Sequence, residues 1–192
     1  MRAFLAIELP AAVRAELVRL QQYLQQSRAD VKWVEAHNLH LTLRFLGDLS
    51  DQQRAAVELA CRRVAASSTP VTLSCSDVGA FPSLSAPRVI WVGLIDDMDV
   101  LTAMAEQVEA ELIQAGFSEA DKPFSAHVTI GRVRSPRGQS ELVRAMRSVS
   151  WIPVDPFTVD HLTLFRSDLS STGPTYSVVA TFPFTAIPGT RS

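Results

Sequence analysis

The sequence predicts an α+β fold rather than a doubly wound parallel sheet, and three observations carry that prediction. Strand-like and helix-like apolar runs alternate along the 192 residues. Tight turns join neighbouring strands, which suits antiparallel pairing and not parallel crossovers. A short echo also repeats, His40-Leu41-Thr42-Leu43 and His127-Val128-Thr129-Ile130, each on a strand that follows a helix. The echo points to two similar lobes built from a duplicated unit. No low-complexity linker divides the chain. Residues 1–192 therefore read as one domain, the first tetrad in one lobe and the second in the other, with no sharp boundary between them.

Taken in order, Ala3 to Leu9 is a buried strand. Pro10 opens an amphipathic helix to about Gln26, because proline suits the first helical turn. Val31 to Glu35 is a short strand and Leu39 to Leu46 a stronger one. Ser50 and Gln53 form a capping box for a helix that runs to about Ala66. Strands follow at Val71 to Val78 and Arg88 to Leu94, separated by the turn-rich Phe81-Pro82-Ser83. A third helix covers Asp97 to Ala115, with Gly116 placed to stop it. Phe124 to Val133 is a strand. The loop Ser135-Pro136-Arg137-Gly138 leads to a helix at Ser140 to Val149. Phe157 to Phe165 and Thr175 to Phe182 are the last strands, and Ile187 to Ser192 is a loose tail.

Composition bounds what such a fold does. Hydrophobic residues make up 47% and charged residues 20%, an ordinary balance for a soluble globular chain. A net charge of −2 and a pI near 6.1 speak against gripping long duplexes by phosphate neutralisation. A nucleic-acid ligand would instead meet a local basic pocket on a short stretch or an end. Cys61 and Cys75 lie in helical and strand-like patterns and both read as buried thiols, which favours a reducing compartment. Phe4-Leu5-Ala6-Ile7 is too short to span a membrane and no signal-peptide cleavage pattern follows it. The expected location is cytoplasmic, with no membrane partner.

Three of the four histidines, His40, His127 and His161, are followed by an aliphatic residue, a threonine and a second aliphatic residue. Side chains two apart on a strand share a face. His40 and Thr42 therefore point one way while Leu41 and Leu43 point into the core. His127 and Thr129 repeat the arrangement over Val128 and Ile130. Two such faces meeting across a cleft hold two imidazoles and two hydroxyls, a set suited to in-line displacement at phosphorus. A neutral histidine takes a proton from the attacking water, and a protonated one donates to the leaving ribose oxygen. An unperturbed pKa of about 6.5 lets both forms coexist around neutrality. The threonine hydroxyls can donate to the non-bridging phosphate oxygens. No H-x-x-x-H, C-x-x-C or clustered carboxylate accompanies either tetrad, so neither a metal nor a cofactor is expected.

The paired H-x-T-x tetrads resemble those of the two-histidine (2H) phosphoesterase superfamily. Within it, the chain is similar to the bacterial and archaeal RNA 2′,3′-cyclic phosphodiesterases, also called 2′-5′ RNA ligases. The likeness spans nearly the whole chain. It takes in Phe4-Leu5-Ala6-Ile7, Trp33, Asn38 to Gly47, Phe81-Pro82, Arg88 to Gly93, Phe124 to Arg132, and Leu164, Ser167, Leu169, Gly173-Pro174 and Tyr176. It implies a bilobal fold, each lobe an antiparallel sheet with helices packed outside, and an active-site cleft between the lobes. It also implies hydrolysis of a 2′,3′-cyclic phosphate to a 2′-phosphomonoester, with His40 as proton donor and His127 as acceptor. Many relatives carry proline before the second histidine, where this chain has Ala126. Proline there would only stiffen the approach to the strand.

Substrate contacts are sought among Arg44, Phe45, Arg132 and Tyr176. Arginine's fork suits phosphate. Strict alternation puts Arg44 on the His40 face but Arg132 opposite His127, and only a bulge or the strand's end would turn Arg132 into the cleft. Phe45, Trp33, Phe81 and Tyr176 are the aromatics able to stack on a base. Most aromatics in such a chain are core, the place expected of Phe45 and Trp91. His161-Leu162-Thr163-Leu164 reads as an ordinary strand and His37 as a surface turn residue. The expected partners are RNA ends or short oligonucleotides carrying a 2′,3′-cyclic phosphate, met by a monomer. Ligation through a 2′-5′ bond is the same chemistry reversed. The alternatives are a phosphodiesterase acting on small nucleotide cyclic phosphates and a noncatalytic RNA-end binder.

Overall fold

In the computed structural model, which describes residues 1–150, 154–170 and 173–185, strands and helices alternate through most of the chain. The first half holds β1 (Arg2–Glu8), α1 (Ala11–Gln25), β2 (Val31–Trp33), a 3₁₀ turn (Ala36–Asn38), β3 (His40–Asp48) and α2 (Asp51–Ser67). Then come β4 (Val71–Ser83), β5 (Ala86–Ile95), α3 (Val100–Gln114) and β6 (His127–Val133). The chain continues through α4 (Gln139–Ser148), β7 (Phe157–Val159), β8 (His161–Leu169) and β9 (Pro174–Pro183). The tail read at Ile187 to Ser192 lies outside the described residues. Among the described residues no helix is long and apolar enough to cross a membrane.

The strands pair in the order β7-β4-β5-β6-β3-β1-β8-β9, with β2 also on β6. Every pairing between them is antiparallel. One half of the sheet is β3-β1-β8-β9 and the other is β6-β5-β4-β7. Helices α2 and α3 pack on the first half, and α1 with α4 on the second. Helix α1 thus follows β1 yet covers the other half, and α3 follows β5 yet crosses back. Strand β1 explains its own apolar run. Leu5 and Ile7 enter the large core, while Phe4 and Ala6 form a second cluster with Phe165 on the opposite face. A strand covered on both faces has no polar side to alternate.

Four sequence readings change. The strand expected over Phe157 to Phe165 is two strands, broken at Asp160. Val159 pairs with Val71 on β4, whereas Thr163 pairs with Ala6 on β1. A single residue joins strands from opposite regions of the pairing order, so the sheet must curl back on itself. Periodicity within the segment carries no mark of this, because the alternation of Phe157-Thr158-Val159 runs into the buried stretch from Leu162 with no glycine or proline between them. Phe81-Pro82-Ser83 is not a turn but the end of β4, and the turn falls at Leu84-Ser85. Pro82 lies opposite Pro87, so the two missing N–H groups share one rung and the ladder loses little. Cys75 is half-buried rather than buried, and is not bridged to Cys61. Burial pushes the Cys61 thiol up to about 12 and the Cys75 thiol up to about 11.

The capping box forms as read, with Gln53 N–H donating to Ser50 Oγ and Ser50 N–H to Gln53 Oε1. Helix α3 starts later than expected. Its cap is the Asp96 carboxylate, which accepts from the N–H groups of Met98, Val100 and Leu101.

Candidate active site

The two tetrads meet at the seam of the sheet. Strands β3 and β6 share one paired position, Leu41 opposite Val128, the second residue of each tetrad. Both are fully buried. Antiparallel geometry then sets His40 towards Thr129 and Thr42 towards His127, all four on the face away from the core.

Each tetrad ends in a bulge. Thr42 pairs with Ala6 and Arg44 with Leu5, which leaves Leu43 unpaired. Thr129 pairs with Trp91 and Gly131 with Ile90, which leaves Ile130 unpaired. One extra residue reverses the alternation beyond it. The consequence corrects three expectations. Arg44 leaves the cleft face: its Nε lies 2.9 Å from Glu109 of α3 and an Nη donates to the Ser118 carbonyl. Arg132 turns into the cleft instead. Phe45, expected in the core, is 68% exposed and lines the cleft.

Gln21, unremarked in the sequence, secures the second bulge. It is only 4% exposed on the buried face of α1. Its amide donates to the carbonyls of Ile130 and Val34, both at 2.8 Å. A buried amide on an otherwise apolar helix stripe is the signal that would have found it.

The two imidazoles are anchored alike. His40 Nδ1 lies 2.7 Å from the Asn38 carbonyl and His127 Nδ1 2.7 Å from the Ser125 carbonyl. A carbonyl only accepts, so each Nδ1 carries its proton and each Nε2 is left for chemistry. His40 Nε2 sits 3.0 Å from the Thr42 hydroxyl, which donates to it when the ring is neutral. Phe4 and Tyr176 pack on the His40 ring at 4.8 and 5.3 Å between centroids, and Phe81 on His127 at 5.2 Å. Burial lowers the pKa of His40, partly offset by the Asn38 carbonyl. Burial also lowers that of His127; the Ser125 carbonyl opposes this and the Arg132 charge adds to it.

His40, Thr42, His127 and Thr129 line one cavity of about 250 Å³, together with Phe45, Arg132 and Tyr176. Lys32, Glu35 and Asn38 also line it and were not singled out as contacts. Asn38 donates from its side chain to the Pro174 carbonyl, 3.1 Å away, which ties the 3₁₀ turn to the start of β9. Trp33 joins the lining, whereas Phe81 lies behind His127. His161 stands outside this cavity. Its two ring nitrogens face Asp160 at 2.7 Å and Glu8 at 3.3 Å, and Thr163 donates to the same Glu8 oxygen. His37 is exposed beside Glu35.

A family model described as LigT like Phosphoesterase matches residues 7–91 and 93–176, one tetrad in each part. The chain belongs to this family. Among LigT-like relatives, an RNA 2′,3′-cyclic phosphodiesterase of Archaeoglobus fulgidus is 34% identical over 95% of this chain and 99% of its own. One of Methanothermobacter thermautotrophicus is 30% identical, covering 95% and 98%. Among solved structures, a Thermus thermophilus protein superposes with a TM-score of 0.79 at 29% identity, over 96% of this chain and 98% of that one. Escherichia coli LigT, in complex with 3′-AMP, gives 0.75 at 25% identity over the same shares. The LigT-like fold is accordingly α+β, duplicated, with its cleft between the two halves of a curled antiparallel sheet.

Proposed function

We propose that this LigT-like phosphoesterase hydrolyses the 2′,3′-cyclic phosphate at RNA ends to a 2′-phosphomonoester. The observation that carries the reading is a pair of imidazoles, each pinned at Nδ1, sharing one cavity with two threonine hydroxyls. His127 Nε2 takes the proton of a water whose oxygen attacks phosphorus. The P–O3′ bond breaks, and protonated His40 gives its proton to O3′. Arg132 favours the neutral ring at His127, which suits a base. An anionic substrate raises the proton affinity of His40 on binding, which suits an acid. Once His40 is protonated, Thr42 no longer donates to it and is available, with Thr129 and Arg132, to the non-bridging oxygens. Phe45 and Tyr176 flank the cavity as surfaces for the terminal nucleoside. A 5′-hydroxyl in place of water, attacking in the same ring-opening step, would give a 2′-5′ linkage.

The same reading takes residues 1–192 as one domain of two pseudo-symmetric lobes, acting as a monomer on RNA ends in the cytoplasm. The crossing of α1 and α3 between halves supports the single domain, and two unbridged cysteines suit a reducing compartment. The test is a short RNA ending in 2′,3′-cyclic phosphate, with EDTA present. Expected are a 2′-phosphate product and a bell-shaped pH profile. Binding of the end without turnover would favour a noncatalytic binder.

A further inference from the structure

Lys32 on β2 and Arg132 on β6 stand directly opposite one another in the antiparallel ladder. Both line the cavity that holds the two histidines. Like charges on opposed strand positions repel, and a partly enclosed site strengthens the repulsion. The chain as a whole carries a net charge of −2, so this pair does not belong to a generally basic surface. Arg132 is the inner cation, since its charge acts on both His127 and Tyr176. Lys32 is the outer one, one strand further from the histidines. A Cβ on Gly173 would stand 2.9 Å from its Nζ, so glycine there leaves the ammonium its place beside β9.

A cyclic phosphate carries one negative charge, which the Arg132 fork can meet. A second cation across the same rung, on the neighbouring strand, matches a second anion. We propose that Lys32 marks a second phosphate subsite, occupied by the phosphate on the 5′ oxygen of the terminal nucleoside. In RNA that group is the last internucleotide linkage, so the site reads the linkage together with the cyclic end. This rests on the cyclic phosphodiesterase reading of the cleft and names what else that site recognises.

The test compares kcat/KM for a nucleoside 2′,3′-cyclic phosphate, a dinucleotide with the same cyclic end, and that dinucleotide with an uncharged methylphosphonate linkage. The dinucleotide is expected to exceed the monomer about tenfold or more, as a charge-assisted contact allows. The methylphosphonate is expected to lose most of that advantage. Lys32→Ala is expected to bring the dinucleotide-to-monomer ratio towards one, and Lys32→Arg to keep it. A monomer bearing a 5′-phosphate should gain what the dinucleotide gains; if it gains nothing, the upstream base is what is read and the subsite is overturned. A methylphosphonate as good as the natural linkage, or a ratio unmoved by Lys32→Ala, overturns it while leaving the proposed function intact. No turnover of any of these substrates by the unmodified protein sinks the functional reading, and the subsite with it.

Discussion

The two halves of the cleft hold their histidines by the same backbone device and surround them differently. Around His40, Ala6 lies opposite Thr42, and over this small residue Phe4, Phe165 and Tyr176 gather into an aromatic cluster against the ring. Around His127 the sizes are reversed: Trp91 lies opposite Thr129, its indole fills the space above Gly79, and Phe81 stays part-exposed beside it. Beyond each bulge the side chain facing the cleft is Phe45 in the first half and Arg132 in the second. Duplication thus supplies two equivalent imidazoles. Unlike neighbours then make one a ring packed against aromatics and the other a ring beside a fixed cation, and that asymmetry is what an acid and a base require.

The largest effects should come from the histidines themselves. His40→Ala and His127→Ala are each expected to lower kcat/KM by about 10²- to 10⁴-fold. The remaining pH profiles should differ: His127→Ala loses the acid limb and keeps the alkaline one, and His40→Ala does the reverse. Identical profiles would erase the assigned asymmetry. Because burial lowers both pKa values, the intact bell for kcat/KM should lie on the acid side of the ordinary imidazole value of 6.5.

Arg132→Gln tests what makes the second half different. Loss of a charged hydrogen-bond donor to phosphate should cost about ten- to a hundredfold in kcat/KM. Since the Arg132 charge lowers the His127 pKa, its removal should move the limb belonging to the base to higher pH. Gln21→Met is the subtler form of this experiment. It should destabilise the fold by about 1–3 kcal/mol, read by urea unfolding, because the buried Ile130 carbonyl and the part-buried Val34 carbonyl each lose a donor. It should also shift the same limb in the same direction, and add little to Arg132→Gln in a double mutant. A Gln21→Met protein with lower stability and an unmoved limb would mean that the amide supports the core alone. Gly79→Ala is expected to act on stability only, by about 1–3 kcal/mol, because its methyl group must displace the Trp91 ring.

Strand periodicity was enough to find the tetrads, their shared face and the buried partners Leu41, Leu43, Val128 and Ile130, because alternation is a property of the strand itself. It failed one residue beyond each tetrad. Arg44 and Arg132 exchange the places that strict alternation assigns them, since a bulge depends on the register of two strands and leaves no mark in one. His161 makes the same point. Its four-residue pattern is locally as good as the other two, yet its ring nitrogens face Glu8 and Asp160 and it lies outside the cavity. The distinction is made by β1, far away in sequence.

By itself, then, the sequence determined the α+β class, most helices and strands, the capping box at Ser50 and the four residues of the paired motif. These follow from local sterics, side-chain period and capping chemistry. Tertiary structure alone decided that Phe157 to Phe165 breaks at Asp160 and the sheet curls, that Leu41 faces Val128, and that Gln21 holds the bulge at Ile130. It also decided that Arg132 and Lys32 share a rung. Each of these is a choice of partner between distant segments, settled by how buried surfaces and backbone hydrogen bonds are satisfied together rather than by any one stretch of chain.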